Sequence, residues 1–117
     1  MPGVSIHVVD VARGIVARGM KVEFYRCSAQ GSECIAAGLV SAGGLLEAKA
    51  LDARFSPGTY EARFHVMDYY LGEGIPLPSP AFLDVVAYRF GIADAEAHYH
   101  LPMKLTPWGY SCFRGGA

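Results

Sequence analysis

Two histidines near opposite ends of the chain have the residue type for acid–base chemistry. His7 lies in VSIHVVDVA (4–12), where Ser5, His7 and Val9 share one parity and Val4, Ile6 and Val8 the other. His100 lies in HYHLPMKL (98–105), on the parity of His98, Pro102 and Lys104. Histidine titrates near neutrality, so one imidazole can activate a water while another protonates a leaving group. A single strand histidine usually just decorates a sheet surface; two of them, each amid apolar neighbours, point to a shared pocket. Lys104 faces the same way as His100, and an ammonium buried there needs a partner or an anionic ligand. His98, at the strand start, reads as a solvated loop histidine. His65, opposite in parity to Tyr60, Ala62, Phe64 and Val66, reads as facing water.

Other chemistries lack their motifs. The chain carries no GxGxxG, P-loop, HExxH or GxSxG. The two histidines of HYH stand at a chelating spacing, but no third ligand is near in sequence, so neither a metal nor a cofactor is assigned. Cys27, Cys34 and Cys112 form an odd set without CxxC spacing, which reads as reduced thiols, with a Cys27–Cys34 bridge across a hairpin as the alternative. The net charge is −1 and no block of like charge occurs, which argues against nucleic acid and membrane-surface partners. No apolar run reaches the ~18 residues of a membrane span. The first residues lack the order of a secretory signal, so the cytoplasm is the expected compartment.

The elements that must position these residues are short strands. Alternation and turn signals predict strands over 4–12, 20–27, 34–42, 58–70, 81–92, 98–105 and 110–115. LLEAKALDARF (45–55) is the one helix-like segment and stops at Ser-Pro-Gly. The pattern predicts one all-β domain over 1–117, a two-sheet β-sandwich of about eight strands with one short helix. Pro102 removes a ladder donor, which predicts that strand 98–105 is an edge strand or is bulged. The chain is 52% hydrophobic, rich for 117 residues, so part of its apolar surface is expected in a subunit interface.

Three stretches carry a likeness to a known family. IHVVDVARG, FSPGTYEARF and HYHLPMKLTPWGYSCFRGG resemble, in order and over nearly the whole chain, the transthyretin-like family. The 5-hydroxyisourate hydrolase branch is the more similar one. The resemblance implies the transthyretin-like (prealbumin-like) sandwich and a homotetramer with sites at the dimer–dimer interface. It further implies hydrolytic opening of a lactam ring in a small heterocycle, 5-hydroxyisourate or a related one, by a histidine-activated water. Carried over by position, the catalytic histidines fall on His7 and His100, which the hormone carriers of the family lack. The arginine of the family's closing Tyr-Arg-Gly-Ser falls on Arg114, its tyrosine on Phe113 and its serine on Gly116. Ser111 and Phe113 join Lys104, Arg114 and the position of Leu45 as substrate-binding candidates.

Two positions depart from the family. Its catalytic arginine falls on Leu45 in SAGGLLE, and no basic residue occurs from Cys27 to Ala48. Leucine cannot offer the planar fork of a guanidinium. Arg54 is one candidate replacement, reaching in from the helix end. Lys104 is the other, a charge where the family has an apolar residue. The alternatives to hydrolysis are a non-catalytic small-ligand binder and a different acid–base reaction, such as a cyclase, isomerase or decarboxylase.

Overall fold

A computed structural model describes residues 2–116. Its strands are β1 (Gly3–Asp10), β2 (Ile15–Val16), β3 (Lys21–Ser28), β4 (Gly31–Leu39), β5 (Gly58–His65), β6 (Val85–Ile92), β7 (His98–Thr106) and β8 (Gly109–Cys112). They form two four-stranded sheets, ordered β2-β1-β7-β8 and β4-β3-β5-β6. The period-two pattern explains the sandwich. Val4, Ile6 and Val8 of β1 and Tyr99, Leu101, Met103 and Leu105 of β7 turn inward and are buried. Against them lie Val22 and Phe24 of β3 and Tyr60, Ala62 and Phe64 of β5, also buried. Phe24 and Tyr60 stack with ring centroids 5.6 Å apart, and Phe55 meets both edge-on. Such aromatic burial dominates a small core, and truncating Phe24 to Ala would cost about 3–5 kcal/mol.

The helix stands elsewhere than the sequence predicts. Within 45–55 only a short 3-10 turn forms, Lys49–Asp52. Gly44, at φ +86°, turns the chain back onto β1. There the Val8 amide donates to the Gly44 carbonyl at 2.8 Å and the Leu46 amide to the Ile6 carbonyl at 3.1 Å. Sheet-type pairing thus takes the backbone groups that a helix over 45–55 would use, and tertiary contact overrides propensity. The α-helix α1 (Val66–Gly72) occupies the end of the stretch predicted as a strand over 58–70. Val66, Tyr69 and Tyr70 are its buried face. The hydroxyls of Tyr69 and Tyr70 donate to the fully buried Asp10 carboxylate at 3.0 and 2.8 Å, and Arg13 donates to it at 2.9 Å. Burial alone would push that carboxyl up, but the bonds from Arg13, Tyr70 and Tyr69 hold it below its ordinary value.

Pro102 is in neither an edge strand nor a bulge. β7 lies between β1, which it pairs in parallel, and β8. The His100 carbonyl accepts from the Gly115 amide on the β8 side, and a strand residue two positions on points the same way. The donor missing from Pro102 therefore points toward β8, whose pairing covers only Met103 to Thr106. A central strand tolerates proline here because no ladder bond is lost. The cysteines are free, and register places Cys34 opposite Tyr25 and Cys27 opposite Ser32, so the alternative Cys27–Cys34 bridge does not form.

Candidate active site

The outer face of the first sheet gathers the polar residues of β1 and β7. Inward residues alternate with Ser5, His7 and Val9 on β1 and with His98, His100, Pro102 and Lys104 on β7. The parallel register sets Ser5 beside His100, His7 beside Pro102 and Val9 beside Lys104. Given ~3.3 Å per residue and ~4.8 Å between strands, His7 is a diagonal neighbour of both His100 and Lys104, about 8 Å away at Cα. Leu45 flanks His7 through an isolated bridge. The face thus brings together His7, His100 and Leu45 in one patch, with Lys104 one step along.

Two glycines leave room for the rings. A Cβ at Gly44 would lie 2.7 Å from His7 Nε2, and one at Gly115 would lie 3.0 Å from His100 Cδ2. Gly115 also closes the chain end onto β7, its amide donating to the His100 carbonyl at 2.7 Å. Any side chain at these positions would push an imidazole off its seat.

Ser5 binds both histidines of HYH. Its Oγ is 2.6 Å from His100 Nδ1 and 2.8 Å from His98 Nε2. His98 Nδ1 lies 3.5 Å from the Pro2 carbonyl. His98 is therefore not a solvated loop histidine: with Ser5, His100 and Gly116 it lines a recess of about 270 Å³. Burial lowers the His100 pKa, and the neighbouring imidazoles of His7 and His98 lower it further. His100 is accordingly neutral at pH 7 and carries a free lone pair. Ser5 and His98 were missed as partners because their meeting depends on the parallel β1–β7 register. The sequence signals for them were Ser5 sharing the parity of His7 and the i, i+2 spacing of HYH.

The other predicted residues lie around this centre. Arg114 stacks its guanidinium 4.0 Å over the Tyr99 ring and donates to the His98 carbonyl at 3.3 Å. Lys104 pairs in register with Ser111, and its ammonium is 5.8 Å from the centre of the exposed Phe113 ring. Lys104 and Ser111 line a recess of about 350 Å³ that is separate from the one at the histidines. A third recess, about 450 Å³, adjoins Ser5 and Leu45 and contains Lys49, a cation the sequence reading passed over although it is the first basic residue after Leu45. Arg54 is ion-paired with Glu96 at 2.9 Å and lines none of these recesses. His65, expected to face water, is half-buried with Nε2 2.6 Å from Glu23.

The sandwich has counterparts among known proteins. The HIUase/Transthyretin family model matches residues 4–115. The 5-hydroxyisourate hydrolase 2 of Rhizobium meliloti is 43% identical over 112 residues, spanning 95% of this chain and 93% of its own. Among solved structures, a Klebsiella pneumoniae 5-hydroxyisourate hydrolase matches at TM-score 0.82 and 26% identity, over 99% of this chain and 100% of that one. An (S)-allantoin synthase matches at TM-score 0.89 and 30% identity, over 97% of this chain and 43% of that one, so this chain spans less than half of that structure's length. The chain belongs to the HIUase/transthyretin family. With hydrolases as relatives over nearly its whole length, it is an enzyme of the hydrolase class. Among the described residues no helix is long and apolar enough to cross a membrane.

Proposed function

We propose that the protein opens the cyclic amide ring of 5-hydroxyisourate, or of a closely related heterocycle, with His7 and His100 as catalytic residues. The observation that carries this reading is the pair of imidazoles on diagonal positions of one sheet face, with His100 neutral and anchored at 2.6 Å by Ser5. One histidine takes a proton from water as its oxygen adds to the ring carbonyl. The ring C–N bond then breaks, and the other histidine supplies the proton that the departing nitrogen takes up. His-to-His separation of about 8 Å at Cα leaves room for a small planar ring between two imidazoles.

In this reading Lys104 takes over from the arginine that Leu45 replaces. Its diagonal position next to His7 lies within the span of a lysine's four-carbon stem, and its charge suits an anionic or carbonyl-rich ring. Phe113 supplies an aromatic wall, Ser111 a hydroxyl beside the ammonium, and Arg114 the closing of the chain end over β7. The exposed Phe113 beside Lys104 supports a homotetramer in which dimers meet over this face of a single 1–117 domain. Three free thiols agree with a cytoplasmic, reducing location.

The test is direct. 5-Hydroxyisourate is generated from urate with urate oxidase, and its decay is followed by absorbance with and without the protein. Acceleration that disappears in His7→Asn and His100→Asn is the expected result. Absence of acceleration would remove this substrate. Leu45 and Gly116, each lacking a polar group of the family pattern, favour the non-catalytic binder as the second reading. A binder would keep ligand affinity in both histidine variants.

A further inference from the structure

We infer that Ser5 and His98 are positioning residues that hold His100 as its Nδ1–H tautomer, so that Nε2 of His100 is the base and the acid role falls to His7. The inference deepens the proposed hydrolytic reading and rests on it for the reaction, though not for the tautomer.

A carbonyl oxygen can only accept, so the 3.5 Å approach of His98 Nδ1 to the Pro2 carbonyl is attractive only with a proton on that nitrogen. In neutral His98 the other nitrogen, Nε2, is then a bare acceptor. Its partner at 2.8 Å is Ser5 Oγ, which must therefore donate its only proton to it. The hydroxyl oxygen is left with lone pairs alone for its second neighbour, His100 Nδ1, at 2.6 Å. That contact is attractive only if His100 Nδ1 carries a proton. Neutral His100 then has its lone pair on Nε2.

The chain of bonds is thus directional: Pro2 carbonyl, His98, Ser5, His100. It survives the reaction step. When His100 Nε2 takes a proton from water, Nδ1–H goes on donating to Ser5 and no hydroxyl needs to turn. The ring sits close over Gly115, where a Cβ would lie 3.0 Å from Cδ2 and displace it. His7 has no part in this chain; its ring edge lies instead against Gly44. The two histidines are thereby differentiated by their surroundings, which is the usual way in which one site separates a base from an acid.

Histidine tautomers in the ¹⁵N-labelled protein are read from long-range ¹H–¹⁵N correlation spectra, without substrate. The wild-type protein should show Nδ1–H for both His98 and His100. In Ser5→Ala, His98 should keep Nδ1–H while His100 shifts toward Nε2–H, and Ser5→Thr should restore the wild-type pattern. Nε2–H on His100 in the wild-type protein, or an unchanged tautomer in Ser5→Ala, overturns the inference. In turnover of 5-hydroxyisourate, Ser5→Ala should lower kcat on the order of 10-fold, a fraction of the ~10²–10⁴ a base contributes, with KM within twofold. Rescue by Ser5→Thr is expected, and a change in KM alone would overturn the positioning role. If the protein fails to turn over 5-hydroxyisourate at all, the substrate falls and the spectra still decide the tautomer.

Discussion

Each sheet turns a histidine outward, and the two are held in opposite ways. His65 on β5 has Nε2 2.6 Å from Glu23, whose other oxygen accepts from Tyr25 at 2.8 Å. The same face carries Glu61, which accepts from Arg63 at 2.6 Å and Arg89 at 3.1 Å, and Arg63 lies 3.9 Å over the Tyr25 ring. His100 on β7 has an equally short contact of 2.6 Å, but to the hydroxyl of Ser5. Its titratable neighbours are histidines rather than carboxylates. A carboxylate favours the protonated imidazole and occupies it; a serine orients a neutral imidazole and leaves one nitrogen free. The second sheet uses its charges on one another, whereas the first keeps nitrogen lone pairs and an ammonium available for a ligand.

The comparison breaks most easily at the histidines. His100→Asn should reduce kcat/KM by ~10²–10⁴, while His65→Asn should stay within twofold in the same assay of 5-hydroxyisourate decay. A matching loss in His65→Asn would erase the distinction between the two faces. The reverse asymmetry should hold for stability. Glu61→Gln weakens two bonds from guanidinium groups at a buried carboxylate, so urea unfolding should show a loss of about 1–3 kcal/mol with kcat unchanged.

A smaller effect is expected at the ammonium. Lys104→Met should lower kcat/KM about tenfold, equivalent to one charge-assisted hydrogen bond. Adding Leu45→Arg to that variant should recover part of the loss. Unchanged turnover in Lys104→Met would shift the cationic role away from Lys104, and Lys49→Met would then be the variant to compare.

The smallest effect is in pH dependence. His100 faces Ser5 and His7 from β1 and His98 from its own strand, and its pKa is lowered from 6.5 by burial and by those two imidazoles. The acid limb of kcat/KM should therefore have its midpoint below 6.5. Stability follows the same group: between 6.5 and the folded value the unfolded chain binds the proton more readily, so stability falls as pH falls through that window. On the other sheet, hydrogen bonds from His65 to Glu23 and from Arg63 to Glu61 hold both carboxyls below 4.5. Their stabilisation is complete above 4.5 and is lost as pH falls through the folded values, which acid titration of the unfolding midpoint would follow.

Much of this molecule was legible in the order of its residues. Alternation set Tyr60, Ala62 and Phe64 on the face opposite His65, and all three are fully buried. Their apolar neighbours marked His7 and His100 as candidates for one pocket, and the likeness of IHVVD and YHLP to a family pattern singled them out. What was illegible depended on partners distant in the chain. The stretch 45–55 has helix-forming residues, but Gly44 folds it onto β1, whose groups a local reading does not contain. Pro102 suggested an edge because its own strand cannot reveal that β8 stops at Cys112. His65 looked solvent-facing until Glu23, forty-two positions away, reached it.

By itself, then, the sequence determined which residues face in or out of each strand, because side-chain parity is a local property of extended backbone. It also pointed to a two-sheet sandwich and, through the family likeness, to His7 and His100. Only the tertiary structure decided that β1 and β7 run parallel with Ser5 beside His100, since register is set by the packing of strands more than ninety residues apart. That register sets one histidine against a serine hydroxyl, and a different set of neighbours sets another against a carboxylate.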